Sequence, residues 1–238
     1  MHPVQGGIDA VSLDFYGTLV HPRTGSGRGA TLMEYLKAHE LKSDPWEHRV
    51  LYDVFARHGQ DYAPEASDAE RERYLVDFAR RVFARLGVEA PPGAADAHAR
   101  AIWQLLGPSS LAVFPDVTAT LRVLQQAGYP LVIISNWQCG LSHFSVELGF
   151  GKAFRHVLAS AELGLAKPDP AIFLEAARRL GLPPGQILHV GDTYDDDFEG
   201  ATAAGFQAVL LCRDRVAEVL NVPTITTLGA LAELLRSG

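Results

Sequence analysis

Five short apolar runs restrict this chain more than any other feature: Ile8–Leu13, Pro130–Ile134, His156–Ala159, Ile187–Val190 and Ala208–Leu211. Each contains β-branched residues, and four of the five stop directly at Asp, Ser or Gly. Runs that are apolar at consecutive positions suit strands buried on both faces, which is the situation in a parallel sheet. Between them, apolar residues three or four apart predict helices over Asp116–Ala127, Gly140–Leu148, Pro170–Leu180, Asp197–Ala204, Arg213–Leu220 and Leu228–Leu235. Strand and helix in alternation imply right-handed crossovers, hence an α/β fold with a doubly wound, Rossmann-like parallel sheet.

One region breaks the alternation. Thr31 to Leu106 gives no strand signal, and Leu32–Leu36, Val50–Ala56, Tyr74–Leu86 and Ala97–Leu105 each show helical spacing. This predicts an inserted, all-helical cap over residues 21–113, with the α/β core formed by 1–20 and 114–238. Pro91-Pro92-Gly93 reads as a turn inside the cap and Gly107-Pro108-Ser109-Ser110 as the hinge back to the core. Gly25-Ser26-Gly27-Arg28-Gly29 fits neither phosphate-loop nor dinucleotide spacing and reads as a loop at the cap entrance.

Composition removes several function classes. The net charge is −7, from 21 Lys+Arg against 28 Asp+Glu, and no basic stripe is present, so nucleic acid is not an expected partner. No apolar run approaches the roughly 20 residues of a membrane span. The first residues lack a basic segment leading into a long apolar stretch, so the expected location is cytoplasmic. Cys139 and Cys212, without metal-type spacing, read as free buried thiols. The sequence leaves the oligomeric state open.

Ligands of a doubly wound sheet bind beyond the carboxyl ends of its strands, so the residues just after each run carry the chemistry. They are Asp14-Phe15-Tyr16-Gly17-Thr18-Leu19, Ser135-Asn136, Lys167-Pro168-Asp169-Pro170 ahead of a helix, and Gly191-Asp192-Thr193-Tyr194-Asp195-Asp196-Asp197. In this order the set resembles the haloacid dehalogenase superfamily, over nearly the whole chain. Asp14, Gly17 and Thr18 match its first motif, Ser135 the second, Lys167 the third, and Gly191-Asp192 with Asp196 or Asp197 the fourth.

The resemblance implies a hydrolase in which Asp14 is the nucleophile and forms a covalent ester that water then cleaves. It implies Mg2+ held by oxygen donors: Asp14, the Tyr16 carbonyl, Asp192 and one of Asp196 and Asp197, with Asp197 taken as the expected ligand. Lys167 supplies fixed positive charge. Ser135 and Thr18 are expected to hydrogen-bond the transferring group, and Tyr16, Gly17, Asn136 and Trp137 to contact the substrate. The expected partner is a small phosphorylated molecule. Arg23, Arg28, Arg49 and Arg57 could approach an anionic group but read first as solvated surface residues, His189 reads as a core residue, and Trp46 and Trp103 read as packing in the cap.

The pattern divides at Tyr16. Phosphatases of this superfamily carry a second Asp there as general acid and base, whereas Asp-x-Tyr-Gly-Thr is similar to the L-2-haloacid dehalogenases, which use no metal. The fourth motif points the other way, because Asp192 stands where those dehalogenases have Ser-Ser-Asn, and Phe173 replaces their Tyr. The expectation is therefore a Mg2+-dependent phosphatase with an aspartyl-phosphate intermediate. The alternatives are an L-2-haloacid dehalogenase and a non-catalytic binding or regulatory protein on the same fold.

Overall fold

The computed structural model describes residues 7–23, 25, 27–44, 68–91, 93–213 and 222–237. Its centre is β1 (Ala10–Leu13), a wholly buried strand. On one side β1 pairs in parallel with β4 (Leu131–Ser135), which pairs with β5 (His156–Ala159). On the other it pairs with β6 (Ile187–Gly191), followed by β7 (Gln207–Leu211) and β8 (Thr224–Ile225). The six-stranded order β5-β4-β1-β6-β7-β8 reverses direction at β1, so the carboxyl end of β1 is the switch point. The five predicted strands match these within two residues at either end. β8 was not foreseen, since two residues cannot display a period.

Alternation along the strands divides the interior into two layers. Val11, Leu13, Leu131, Ile133, Leu188 and Val190 face helices α4 (Val117–Gln126) and α5 (Leu141–Glu147). Ala10, Val132, Ile134 and Ile187 face α7 (Pro170–Leu180), which follows the one-turn helix α6 (Ser160–Leu163). The bounds of α7 agree with the sequence because both ends carry strong signals. Asp169 caps it by accepting from the Ala171 N–H at 2.9 Å, Pro170 opens it, and Gly181 at φ +70° ends it. A helix predicted over Asp197–Ala204 starts earlier, as a π-helical turn at Tyr194–Glu199 that runs on into α8 (Gly200–Ala203).

Helices α1 (Arg28–Ala38), α2 (Asp68–Arg85) and α3 (Ala95–Leu106) form a separate apolar cluster through Leu32, Leu36, Phe78, Phe83, Leu86 and Ile102. Among the described residues no strand lies between α1 and α3. The predicted helices Val50–Ala56 and Arg213–Leu220 fall wholly or almost wholly outside the described residues, as do Trp46, Arg49 and Arg57. Where the sequence suggested only a hinge, a two-stranded antiparallel ribbon joins this cluster to the sheet: β2 (Val20–Pro22) pairs with β3 (Leu111–Val113). Arg23, exposed as expected of a surface arginine, staples the ribbon by donating to the carbonyls of Ser109 at 3.2 Å and Leu111 at 3.0 Å. Among the described residues, no helix is long and apolar enough to cross a membrane.

Arg213, just after β7, ties the ribbon to the sheet and to the C-terminal helix α9 (Leu231–Ser237). It donates to both oxygens of Asp116 at 3.0 Å and to the carbonyl of Thr18 at 2.8 Å, with its guanidinium 3.8 Å from the Phe114 ring centre. Asp116 also accepts from the Leu228 N–H at 2.8 Å. Burial alone would raise the Asp116 carboxyl, but the Arg213 and Leu228 bonds outweigh it and hold it below the usual carboxylate range. A depressed carboxylate stabilises the fold above its unfolded value and loses that contribution as pH falls through the folded one. Asp116→Asn is therefore expected to lower stability near neutral pH by about 2 kcal/mol, or roughly 5 °C in Tm. Thermal melts should show the gap between variant and parent closing below about pH 4.

Candidate active site

The polar ends of β1, β4 and β6 converge at the switch point on one buried ammonium group. Lys167 Nζ lies 2.6 Å from Asp14 Oδ1 and 2.5 Å from Asp197 Oδ1, and both carboxylates and the ammonium are almost fully buried. Ser135, the last residue of β4, donates to the same Asp14 oxygen at 3.0 Å. Asn136 grips the Lys167 backbone in both directions, donating to its carbonyl at 2.9 Å and accepting from its N–H at 2.7 Å. Asn136 was expected to contact substrate; its amide is instead occupied in positioning the lysine.

Between Asp196 and Asp197 the structure is decisive: Asp197 points inward and bonds Lys167. The π-helical turn achieves this by winding the Asp197 side chain back over the end of β6. A methyl group on Gly191 would lie 2.1 Å from the Asp197 carboxyl carbon, so only glycine fits. Asp197 Oδ2 accepts from the Thr193 N–H at 3.0 Å and its hydroxyl at 2.7 Å, while Oδ1 also meets His189 Nε2 at 3.2 Å. With Lys167 this makes four partners, about the full capacity of a carboxylate. Asp197, expected to bind metal, is thus committed to hydrogen bonds within the protein, although one of its oxygens lies within 4.8 Å of ligand atoms of Asp14 and Asp192.

Asp192 completes the acidic group. It lies against the turn after β1, where a methyl group on Gly17 would fall 2.3 Å from a carboxylate oxygen, and Gly17 has φ +90°. Space and backbone both demand glycine there. Burial, then the charges of Asp14 and Asp197, push the Asp192 carboxyl up to about 7. Burial likewise raises Asp14, against the opposing pull of Lys167. Burial acts on Asp197 in the same sense, but Lys167 and His189 override it and hold that carboxyl far below its ordinary value. Three carboxylates around one ammonium leave surplus negative charge on hard oxygen donors. That donor set fits Mg2+, with Asp14 and Asp192 the residues whose oxygens suit it.

Tyr16 is half-buried, its ring stacked on Trp137 at 6.0 Å between centres. Trp137, expected in a substrate pocket, is only 6% exposed and packs edge-on against Phe15 and Phe144 at 4.9 and 5.8 Å. Its backbone N–H donates to Ser160 Oγ at 3.0 Å. Trp137 is therefore the floor beneath Tyr16. Thr18 is also buried, and its hydroxyl has no hydrogen-bond partner among the described residues; the part held in place is its carbonyl. From the helical cluster, Tyr74 on α2 donates its hydroxyl to the Cys139 thiol, which burial pushes up to about 12. Cys139 and Cys212 are buried thiols outside any disulfide, as the sequence suggested.

Sequence reasoning missed Ser12, His189 and Thr193 as partners of this group. A signal existed: Ser12 and His189 stand opposite one another in the β1–β6 register, and polar side chains inside a parallel sheet require bonding partners.

Over 171 residues the chain is 30% identical to haloacid dehalogenase-like hydrolase domain-containing protein 3 of Danio rerio, covering 71% of this chain and 70% of that one. It is 36% identical over 112 residues to the glyceraldehyde 3-phosphate phosphatase of Methanopyrus kandleri, 44% of this chain and 46% of that protein, so the match spans about half the length of that relative. The structure superposes on the 2-haloacid dehalogenase from Pseudomonas syringae pv. Tomato DC3000 with a TM-score of 0.65 and 26% identity, covering 97% of this chain and 99% of that one. The model of the haloacid dehalogenase-like hydrolases matches residues 8–205, a stretch that contains Asp14, Ser135, Lys167, Asp192 and Asp197, and the chain belongs to that family.

Proposed function

We propose that the chain is a Mg2+-dependent phosphohydrolase of a small phosphorylated molecule, acting through an aspartyl-phosphate on Asp14. The observation that carries this reading is the buried Lys167 held between Asp14 and Asp197 with Asp192 beside them. The relative named as a phosphatase supports it. The reading includes a core of residues 1–20 and 114–238 and a cap of 21–113, a division that the β2–β3 ribbon and the separate apolar cluster of α1, α2 and α3 favour. A cytoplasmic location is part of the same proposal.

Lys167 and Ser135 both bond Asp14 Oδ1, which fixes the carboxylate and directs its other oxygen to attack phosphorus. The P–O bond to the leaving group breaks as the acyl phosphate forms, and water then cleaves that ester and regenerates Asp14. When bound, Mg2+ would be held by Asp14, Asp192 and the Tyr16 carbonyl and would neutralise charge on the phosphoryl oxygens. Asp197 keeps the ammonium of Lys167 in place against Asp14.

Tyr16 shapes the choice of substrate. A phenol is a much weaker acid than a carboxylic acid and, while it keeps its proton, a poor base. Leaving groups that need little protonation, such as aryl and acyl phosphates, therefore suit this site best. The same Tyr16, with the likeness to a 2-haloacid dehalogenase, favours a second reading in which halide leaves and no metal is used. Asp192 opposes it, because without a cation its carboxylate would repel an anionic haloacid.

Three outcomes are expected. Phosphate release from p-nitrophenyl phosphate requires Mg2+ and stops with EDTA, and halide is not released from L-2-chloropropionate; metal-independent halide release would overturn the proposal in favour of the dehalogenase. Asp14→Asn abolishes turnover while circular dichroism shows the fold intact, and retained activity would remove Asp14 from the mechanism. Tyr16→Asp places a carboxylic acid where a leaving oxygen needs one and should raise kcat on an alkyl phosphate by about 100-fold, with a much smaller effect on aryl phosphates. Equal gains on both substrates would show that protonation is not what Tyr16 limits.

A further inference from the structure

We infer that His189, held by Ser12, is a positioning residue that locks the Asp197 carboxylate and thereby aims Lys167 at Asp14; the inference rests on the phosphohydrolase reading. Ser12 and His189 face each other across the β1–β6 pairing. Ser12 Oγ is 2.9 Å from His189 Nδ1, and His189 Nε2 is 3.2 Å from Asp197 Oδ1. An ionised carboxylate only accepts, so Nε2 carries the proton of that bond, and Ser12 occupies the other ring nitrogen. The chain of contacts runs Ser12, His189, Asp197, Lys167, Asp14, and every member is buried.

Its order of residue types invites comparison with a Ser-His-Asp hydrolase triad. Burial excludes that role: Ser12 and His189 are 0% exposed, and the edge of the Phe173 ring closes over the imidazole at 5.1 Å. No substrate reaches Ser12. The imidazole is not needed to fill the layer either, since its neighbours Ile187, Leu188 and Val190 are aliphatic and a leucine suits such a position. What the histidine adds is a donor arriving from the strand behind Asp197.

That donor has a specific use. Asp197 Oδ2 is fixed by Thr193, but Oδ1 must serve Lys167 alone unless a second donor holds it. Asp192 and Asp14 lie close by, and the acidic group attracts cations. Without His189, Asp197 Oδ1 is able to turn toward a competing cation and draw Lys167 from its 2.6 Å contact with Asp14. With His189 in place both Asp197 oxygens are saturated, and Lys167 has one orientation.

The test compares His189→Leu, Ser12→Ala, Asp197→Asn and the His189→Leu/Asp197→Asn double variant in p-nitrophenyl phosphate hydrolysis with Mg2+. Folding is checked by circular dichroism and melting. The expected result is a fall in kcat of about 10- to 100-fold for His189→Leu, with KM for substrate and for Mg2+ changed by less than about twofold, and a smaller fall in kcat for Ser12→Ala. In the Asp197→Asn background, His189→Leu should cost nothing further, because the group it positions is already disabled. Unchanged kcat in folded His189→Leu, or losses that multiply in the double variant, would overturn the inference. Should His189→Leu not fold, unchanged kcat in Ser12→Ala has the same consequence. A parent protein that releases no phosphate with any divalent metal refutes the phosphohydrolase reading separately. The relay is then judged by long-range 1H–15N spectra, in which a protected His189 Nε2 proton that Asp197→Asn displaces is expected and its absence is disproof.

Discussion

The buried ammonium of Lys167 is the constraint around which the rest of this site is arranged. Taking a charge out of water costs several kcal/mol unless geometry and hydrogen bonds return it. Lys167 meets two carboxylates, and each carboxylate in turn needs further donors. The consequences can be followed outward. Asp197 reaches the lysine only because a π-helical turn winds it over β6, and that winding is possible only because Gly191 has no side chain. Asp192 fits only because Gly17 is bare and takes a positive φ. Asn136 fixes the lysine backbone, so the ammonium is held from both ends of its residue.

This hierarchy explains what the sequence disclosed. Strands β1, β4, β5, β6 and β7 were legible because a parallel strand buried on both faces must be apolar at consecutive positions, and α7 because Asp169, Pro170 and Gly181 are independent signals of its ends. The ribbon of β2 and β3 was not, since three residues establish no period. Asp14, Ser135 and Asp192 could be named because each directly follows or ends a strand, and Lys167 because it stands just ahead of the cap of α7. The assignment of Asp197 over Asp196 depends on π-helical winding, which no apolar spacing encodes. Asn136 and Trp137 were placed at this edge, but the bonds that Asn136 makes to Lys167 and the packing of Trp137 could not be read, because sequence position fixes the edge and not the direction of a side chain.

His189 shows a different limit. Within a run of aliphatic residues it reads as one more core position, and its burial is consistent with that. Its meaning appears only with the register that sets it opposite Ser12 and with the fold of the turn that brings Asp197 back to it, two facts separated by 177 and 8 positions along the chain. A polar side chain in a fully apolar strand thus marks a tertiary partner without identifying it.

Tyr16 joins the polar edge of the sheet to the helical cluster. Its ring rests on Trp137, which is packed by Phe15 and Phe144 and anchored by Ser160, so the position of the phenol is set by aromatic packing within the core. A methyl group on Gly27, at the start of α1, would lie 3.9 Å from the Tyr16 hydroxyl, and two residues beyond Trp137 the Cys139 thiol accepts from Tyr74 of α2. Helical-cluster residues therefore reach the first-motif loop and the second-motif loop at separate points. An aspartate at position 16 would give a shorter, more acidic group but would lose the stack on Trp137 and the approach to Gly27. On the phosphohydrolase proposal, the side chain that limits proton transfer also forms part of the wall between the sheet and α1, so an acid for catalysis and an aromatic ring for packing compete for this position.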